Sequence, residues 1–136
     1  MALNNSSLSA IKRAQKESLL VREISQLFMK TAMDDTRLQG LTINRVKLSP
    51  DKGTCYVFFY TDKGEDAFQE LLGVLILYKP SLRKALAATI QSRYAPELVF
   101  KYDAQFEKEL RMDQILSDIQ EQEKNLVDNE QKEDKS

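Results

Sequence analysis

Ser92-Arg93-Tyr94-Ala95-Pro96-Glu97-Leu98-Val99-Phe100-Lys101-Tyr102-Asp103 decides how this chain folds. Proline lacks an amide hydrogen and biases the residue before it away from helical geometry, so Pro96 closes the helix that leads into it, near Tyr94. Beyond it, Leu98-Val99-Phe100-Lys101-Tyr102 is β-branched and aromatic and reads as a strand. A lone strand leaves its backbone groups unpaired, so it needs a sheet made earlier in the chain.

That sheet is a hairpin. Residues 41–48 and 54–60 read as two strands around Ser49-Pro50-Asp51-Lys52-Gly53, whose proline and glycine suit a tight turn. In the first strand Leu41 and Ile43 share one parity and Val46 and Leu48 the other, so a bulge or a register change lies near Arg45. The second, Cys55-Tyr56-Val57-Phe58-Phe59-Tyr60, is apolar or aromatic throughout and implies burial on one face with partial cover on the other.

Helices flank the sheet. Residues 9–33 carry Leu20, Val21, Ile24, Leu27 and Phe28 at helical spacing, with Lys12, Arg13 and Lys16 clustered at the polar end. A second helix, residues 65–77, has Phe68, Leu71, Leu72, Leu75 and Ile76 as its apolar stripe, and Pro80 stops or kinks it. A third opens at Ser81 and buries Leu82, Ala85, Leu86 and Thr89, with Arg83 and Lys84 outward. The order is αββααβ, an α+β domain of a three-stranded sheet covered by helices. A C-terminal helix over residues 105–123 follows, with Phe106, Leu110, Ile115, Leu116 and Ile119 as apolar contacts, and then an acidic tail, 124–136, of disordered composition. Residues 1–8 read as a flexible start and residues 9–104 as the domain.

Composition excludes several functions. No run approaches the roughly 20 apolar residues that span a bilayer, and the start has neither the charged nor the apolar region of a secretory signal, which points to the cytoplasm. The single Cys55 has no partner for an internal disulfide and sits in an apolar strand, as a core thiol does. There is no histidine, which removes the commonest general base and metal ligand, so neither a catalytic residue nor a metal or cofactor site is expected. Asp34-Asp35 and Glu65-Asp66 sit where helix caps belong. The net charge of −1 conceals a split: residues 1–104 hold 15 Lys and Arg against 11 Asp and Glu, residues 105–136 hold 5 against 10. A basic body with an acidic tail suits a nucleic-acid partner.

The element order is that of type II K-homology (KH) domains, which bind RNA. Those domains grip the backbone with a Gly-x-x-Gly loop between two helices, because only glycine lets amides come so close to phosphates. The four glycines here, Gly40, Gly53, Gly64 and Gly73, lie elsewhere, so clamping at Tyr78-Lys79-Pro80-Ser81 is not expected.

Three segments in order resemble the ribosome-binding factor A family over residues 13–119. They are Asp35-Thr36-Arg37-Leu38, Pro96-Glu97-Leu98-Val99-Phe100 with Tyr102-Asp103, and Arg111-Met112 with Ile115-Leu116. The first is similar to the family's Asp-Pro-Arg-Leu. The family's kink reads Ala-x-Gly, where this chain has Tyr78-Lys79-Pro80. The resemblance implies a KH-like fold without the glycine loop. It also implies a non-catalytic monomer that binds the maturing 30S subunit and its 16S rRNA, with ribosomal proteins as further contacts. In that role it would assist rRNA processing and late maturation, with a functional link to an assembly GTPase and to growth in the cold. The alternatives are a general RNA-binding adaptor and a protein-interaction module using the last helix.

For the interface, the residues point to Lys12, Arg13 and Lys16 from the first helix, Arg37, Arg45 and Lys47 around the first strand, and Lys79, Arg83 and Lys84 near the proline, with Arg93 and Lys101 as second choices. Their role would be phosphate pairing. Arg37 and Arg111 have a competing explanation, since each could bridge a nearby carboxylate and serve the fold.

Overall fold

The computed structural model describes residues 5–91 and 94–133, with side chains placed for residues 7–91 and 94–127. The chain divides into two compact units at Asp103/Ala104. In the first, helix α1 (Asn5–Asp34) leads through a short 3-10 turn (Thr36–Leu38) to strands β1 (Thr42–Leu48) and β2 (Thr54–Tyr60), helix α2 (Glu65–Thr89) and strand β3 (Glu97–Tyr102). The second is helix α3 (Ala104–Glu133). The order among the described residues is therefore α-β-β-α-β-α, an α+β fold.

The sheet runs β1-β2-β3, with β1 and β2 antiparallel and β3 parallel to β2. A parallel partner needs a crossover, and α2 supplies it. Alternate residues Cys55, Val57 and Phe59 of β2 are at most 1% exposed, while Tyr56, Phe58 and Tyr60 are only half-buried. Leu20, Ile24 and Phe28 of α1 and Phe68, Leu75, Leu82 and Leu86 of α2 close the core from that side. Phe59 sits at its centre, its ring 5.3 Å from Phe28, 5.8 Å from Phe68 and 5.5 Å from Phe100.

The parity conflict in β1 is a bulge. Ile43 pairs with Phe59 and Arg45 with Phe58, so Asn44 is the extra residue. It turns Arg45 onto the face opposite Ile43, which strict alternation would have denied it. In the hairpin the left-handed position belongs to Lys52 (φ 62°) rather than Gly53. Asp51 holds the turn by accepting hydrogen bonds from the Ser49 hydroxyl (2.6 Å) and the Gly53 amide (2.9 Å).

Several sequence expectations are corrected. The two helices expected on either side of Pro80 are one, α2, with Pro80 inside it. Phe68, Leu75 and Leu82 recur at sevens and Leu86 follows one turn later, so a single buried stripe crosses the proline and packing overrides the break. The carbonyl left without an amide partner by Pro80 is that of Ile76. Ile76 is 49% exposed and not part of the stripe. Thr89 is also outward, its hydroxyl donating to the Ala85 carbonyl at 2.9 Å. The helix ends at Thr89, not near Tyr94, and Gln91 follows at φ 53°.

Helix also extends into both ends. Asn5–Leu8, expected to be flexible, begin α1, and residues 124–133, expected to be disordered, continue α3; residues 1–4 and 134–136 lie outside the described residues. Glu, Gln and Lys in residues 124–133 suit a solvated helix as well as a disordered tail, so composition alone does not separate the two.

Candidate nucleic-acid interface

Of the eleven cations proposed from sequence, the ten among the described residues fall into two groups once their partners are seen. Arg37 donates from Nε (2.9 Å) and Nη2 (2.7 Å) to the Asp35 carboxylate, which also accepts from the Arg37 amide (3.1 Å) and the Tyr78 hydroxyl (2.7 Å). This joins the end of α1 to the middle of α2. First the Arg37 side chain, then Tyr78, hold the buried Asp35 carboxyl far below the usual carboxylate range. The bond to Asp35 in turn raises the Tyr78 hydroxyl above its ordinary value.

Arg45 bonds Asp103, 3% exposed, from Nε at 3.1 Å and Nη2 at 3.3 Å, and its guanidinium centre lies 4.3 Å over the Phe58 ring. Arg83 donates to the Pro96 carbonyl (3.2 Å) and the Ala95 carbonyl (3.3 Å) and pairs with Glu97 at 3.2 Å, pinning α2 to the approach to β3. Lys79 lies 3.9 Å from Glu97 and 5.5 Å over the Phe100 ring. Arg111 bonds Glu107 one turn away. These cations have work in the fold, which was the competing explanation for Arg37 and Arg111.

The others do not. Among the described residues no carboxylate lies within ion-pair distance of Lys12, Arg13, Lys16, Lys47, Lys84 or Lys101. Arg93 lies outside the described residues. Arg13, 32 positions before Arg45 in the chain, meets Arg45 and Lys47 in an open groove of about 450 Å³ between α1 and β1, completed by Ala10, Ala14, Glu17 and Val46. Small residues on α1 keep that groove open. Glu17, its one acid, accepts from the Leu48 amide at 2.9 Å and so fastens α1 to the free edge of β1. Helical geometry puts Lys12 and Lys16 roughly 60–100° around α1 from Arg13, on the side away from Ala10, Ala14 and Glu17, so they continue the positive surface of α1 away from the groove. Lys84 stands on α2, exposed and apart.

Sequence reasoning passed over Asn44, whose side-chain Nδ2 is buried in the bulge without a hydrogen-bond partner among the described residues. The parity conflict located the bulge but not its residue. It also passed over Tyr78, whose phenol reaches Asp35 from 43 positions away. Local patterns carry no signal for such pairs.

Chemistry of other kinds finds little to use. Cys55 is fully buried; burial first, and the Glu17 charge second, push its thiol up to about 12, so it stays protonated at neutral pH. Among the described residues, no three His, Cys, Asp or Glu side chains gather as a metal site would require, and no helix is long and apolar enough to cross a membrane.

An α+β unit with a cationic groove between a helix and an edge strand has the electrostatic footprint of a class, the small nucleic-acid-binding domains. Comparison identifies the family. The ribosome-binding factor A family profile matches residues 12–116, and the chain belongs to that family. It is 34% identical over 120 residues to ribosome-binding factor A of Syntrophus aciditrophicus, spanning 87% of this chain and 96% of that one. It is 32% identical over 98 residues to that of Aromatoleum aromaticum, spanning 72% and 76%. The crystal structure of ribosome-binding factor A from Thermus thermophilus superposes with a TM-score of 0.54 at 28% identity, covering 66% of this chain and 94% of that one. A homology model of the T. thermophilus factor, fitted into a cryo-EM map of a 30S–ribosome-binding factor A complex, matches with a TM-score of 0.50 at 28% identity, covering 62% and 88%.

Proposed function

We propose that this protein binds the maturing small ribosomal subunit through 16S rRNA and assists late subunit maturation and rRNA processing without catalysing a reaction. The observation that carries the RNA contact is the groove in which Arg13 and Lys47, neither paired with a carboxylate among the described residues, meet Arg45, which Asp103 already holds; Lys12 and Lys16 follow on the far side of Arg13 along α1. Family membership and the likeness to a factor fitted in a 30S complex support the choice of partner. Binding energy alone suffices for the role: a surface that favours one rRNA conformer over another shifts their populations by the difference in affinity. Lys84 and Lys101 extend the contact, while Arg37, Lys79 and Arg83 act mainly by holding the fold. In this reading the factor works as a cytoplasmic monomer with a KH-like fold, and its release is linked to an assembly GTPase.

Co-sedimentation of the full chain with free small subunits, large subunits and whole ribosomes tests this. Selective recovery with free small subunits, weakening as salt rises, is the expected result. No recovery with small subunits at low salt would overturn it.

A further inference from the structure

The solvent side of an antiparallel pair ordinarily carries polar side chains. In this sheet the face that α1 and α2 leave uncovered carries aromatic rings along its central strand and cations along both flanks. The pairing places Lys47, Tyr56 and Val99 in one row and Arg45, Phe58 and Lys101 in the next. Tyr56 and Phe58, two positions apart on β2, are about 7 Å apart along the strand.

The charges on this face are not balanced. Its two carboxylates from β3 and the residue after it are engaged, Glu97 by Lys79 and Arg83 and Asp103 by Arg45. Lys47 and Lys101 have no such partner among the described residues. The two rings also differ in how they are roofed. Lys101 Nζ lies 4.8 Å over the Tyr56 ring, and this exposed ammonium on a flexible stem is free to swing to a phosphate and bare the ring. The Arg45 guanidinium over Phe58 is fixed by Asp103 and stays, so there the planar guanidinium is itself the stacking surface. Aromatic rings and arginine planes are the two surfaces on which proteins stack unpaired bases, and flanking lysines follow the backbone.

We propose that the uncovered sheet face is a second RNA site, one that takes single-stranded RNA by stacking one base on Tyr56 and a neighbouring base on the Arg45–Phe58 pair, with Lys47 and Lys101 on the phosphates. A duplex hides its base faces and cannot make these contacts. The inference rests on the RNA-binding reading above and deepens it: the α1–β1 groove contributes charge, and the sheet face selects unpaired strands. Lys47, at the edge strand, belongs to both.

The test uses the full chain, a fluorescent oligouridylate and a duplex RNA of equal length at one salt concentration, with Tyr56→Leu and Lys101→Glu variants checked by thermal unfolding. Lys101→Glu changes an exposed residue and so reads the site even if the ring substitution weakens the fold. The expected result is preference for the single strand, with that affinity falling on the order of tenfold to a hundredfold in Tyr56→Leu. Lys101→Glu should lose about tenfold on the single strand, and duplex binding should stay within about twofold for both variants. Equal affinity for both RNAs, or equal losses on both, overturns the single-strand site while leaving subunit binding intact. Loss of subunit recovery in the variants without loss of oligouridylate binding also overturns it, because the face then docks on ribosomal protein. Failure of the unsubstituted chain to bind small subunits at all strikes instead at the function proposed above.

Discussion

Two sets of cations with the same appearance in the sequence do different work. On α2 and at the approach to β3, Lys79 and Arg83 converge on Glu97, and Arg83 also spends donors on two backbone carbonyls. On α1 and β1, Arg13 and Lys47 face a groove, Lys12 and Lys16 stand on the far side of Arg13, and no carboxylate is paired with any of the four among the described residues. A cation already bonded must break those bonds to meet a phosphate, whereas a solvated one exchanges only water and counterions. Positive charge in a chain is thus a poor guide to a binding surface until the partners of each charge are known.

The difference makes predictions, the largest on α1. Replacing Lys12, Arg13 and Lys16 together by glutamate should lower affinity for small subunits by about a hundredfold or more while the unfolding midpoint hardly moves, since three lost phosphate contacts become three repulsions. Filter binding and urea unfolding on the same preparation check this.

The reverse pattern is expected at the fold-holding charges. Asp35→Asn should cost more stability than any single change among the cations, because Asp35 accepts four hydrogen bonds, three from Arg37 and one from Tyr78 that ties the end of α1 to α2. Its folded carboxyl lies below its unfolded value of about 3.8, so it stabilises the protein above that pH and the contribution is lost as pH falls below it. Urea midpoints measured downward from neutral pH should therefore fall less steeply in Asp35→Asn than in the natural chain. Next, Arg83→Ala should cost about 1–2 kcal/mol of stability and change subunit affinity less than threefold in protein that is still folded. A collapse of affinity with unchanged stability would move Arg83 into the interface.

The smallest effect belongs to the core thiol. Cys55 keeps its proton up to about 12 in the fold against 9.0 when exposed, so its stabilising contribution is complete below pH 9 and drains away between those values. At neutral pH it should resist maleimide in the native protein and react fully in urea.

Much of the architecture was legible before the structure. The alternation of Cys55, Val57 and Phe59 against Tyr56, Phe58 and Tyr60 specified a strand buried on one face, and Pro96 marked the entry to β3, because both signals are local. The run of α2 through Pro80 was not legible, since what carries the helix across is a stripe packed on a distant sheet. The cations were legible as charge but not as free or bound. Arg37 has its acid two residues away and was open to suspicion, yet the acid for Arg45 is 58 residues on. Asn44 shows the same boundary: conflicting parity announced a bulge, and only the pairing register showed which residue it holds.

The most direct test of this division is the salt dependence of small-subunit affinity, measured for the natural chain, for the Lys12, Arg13 and Lys16 reversal and for Arg83→Ala. The account predicts a steep fall of log affinity with log salt for the natural chain, nearly the same slope for Arg83→Ala, and a slope shallower by about two to three in the reversal. An unchanged slope in the reversal with a flattened one in Arg83→Ala would contradict it and place the phosphate contacts on α2.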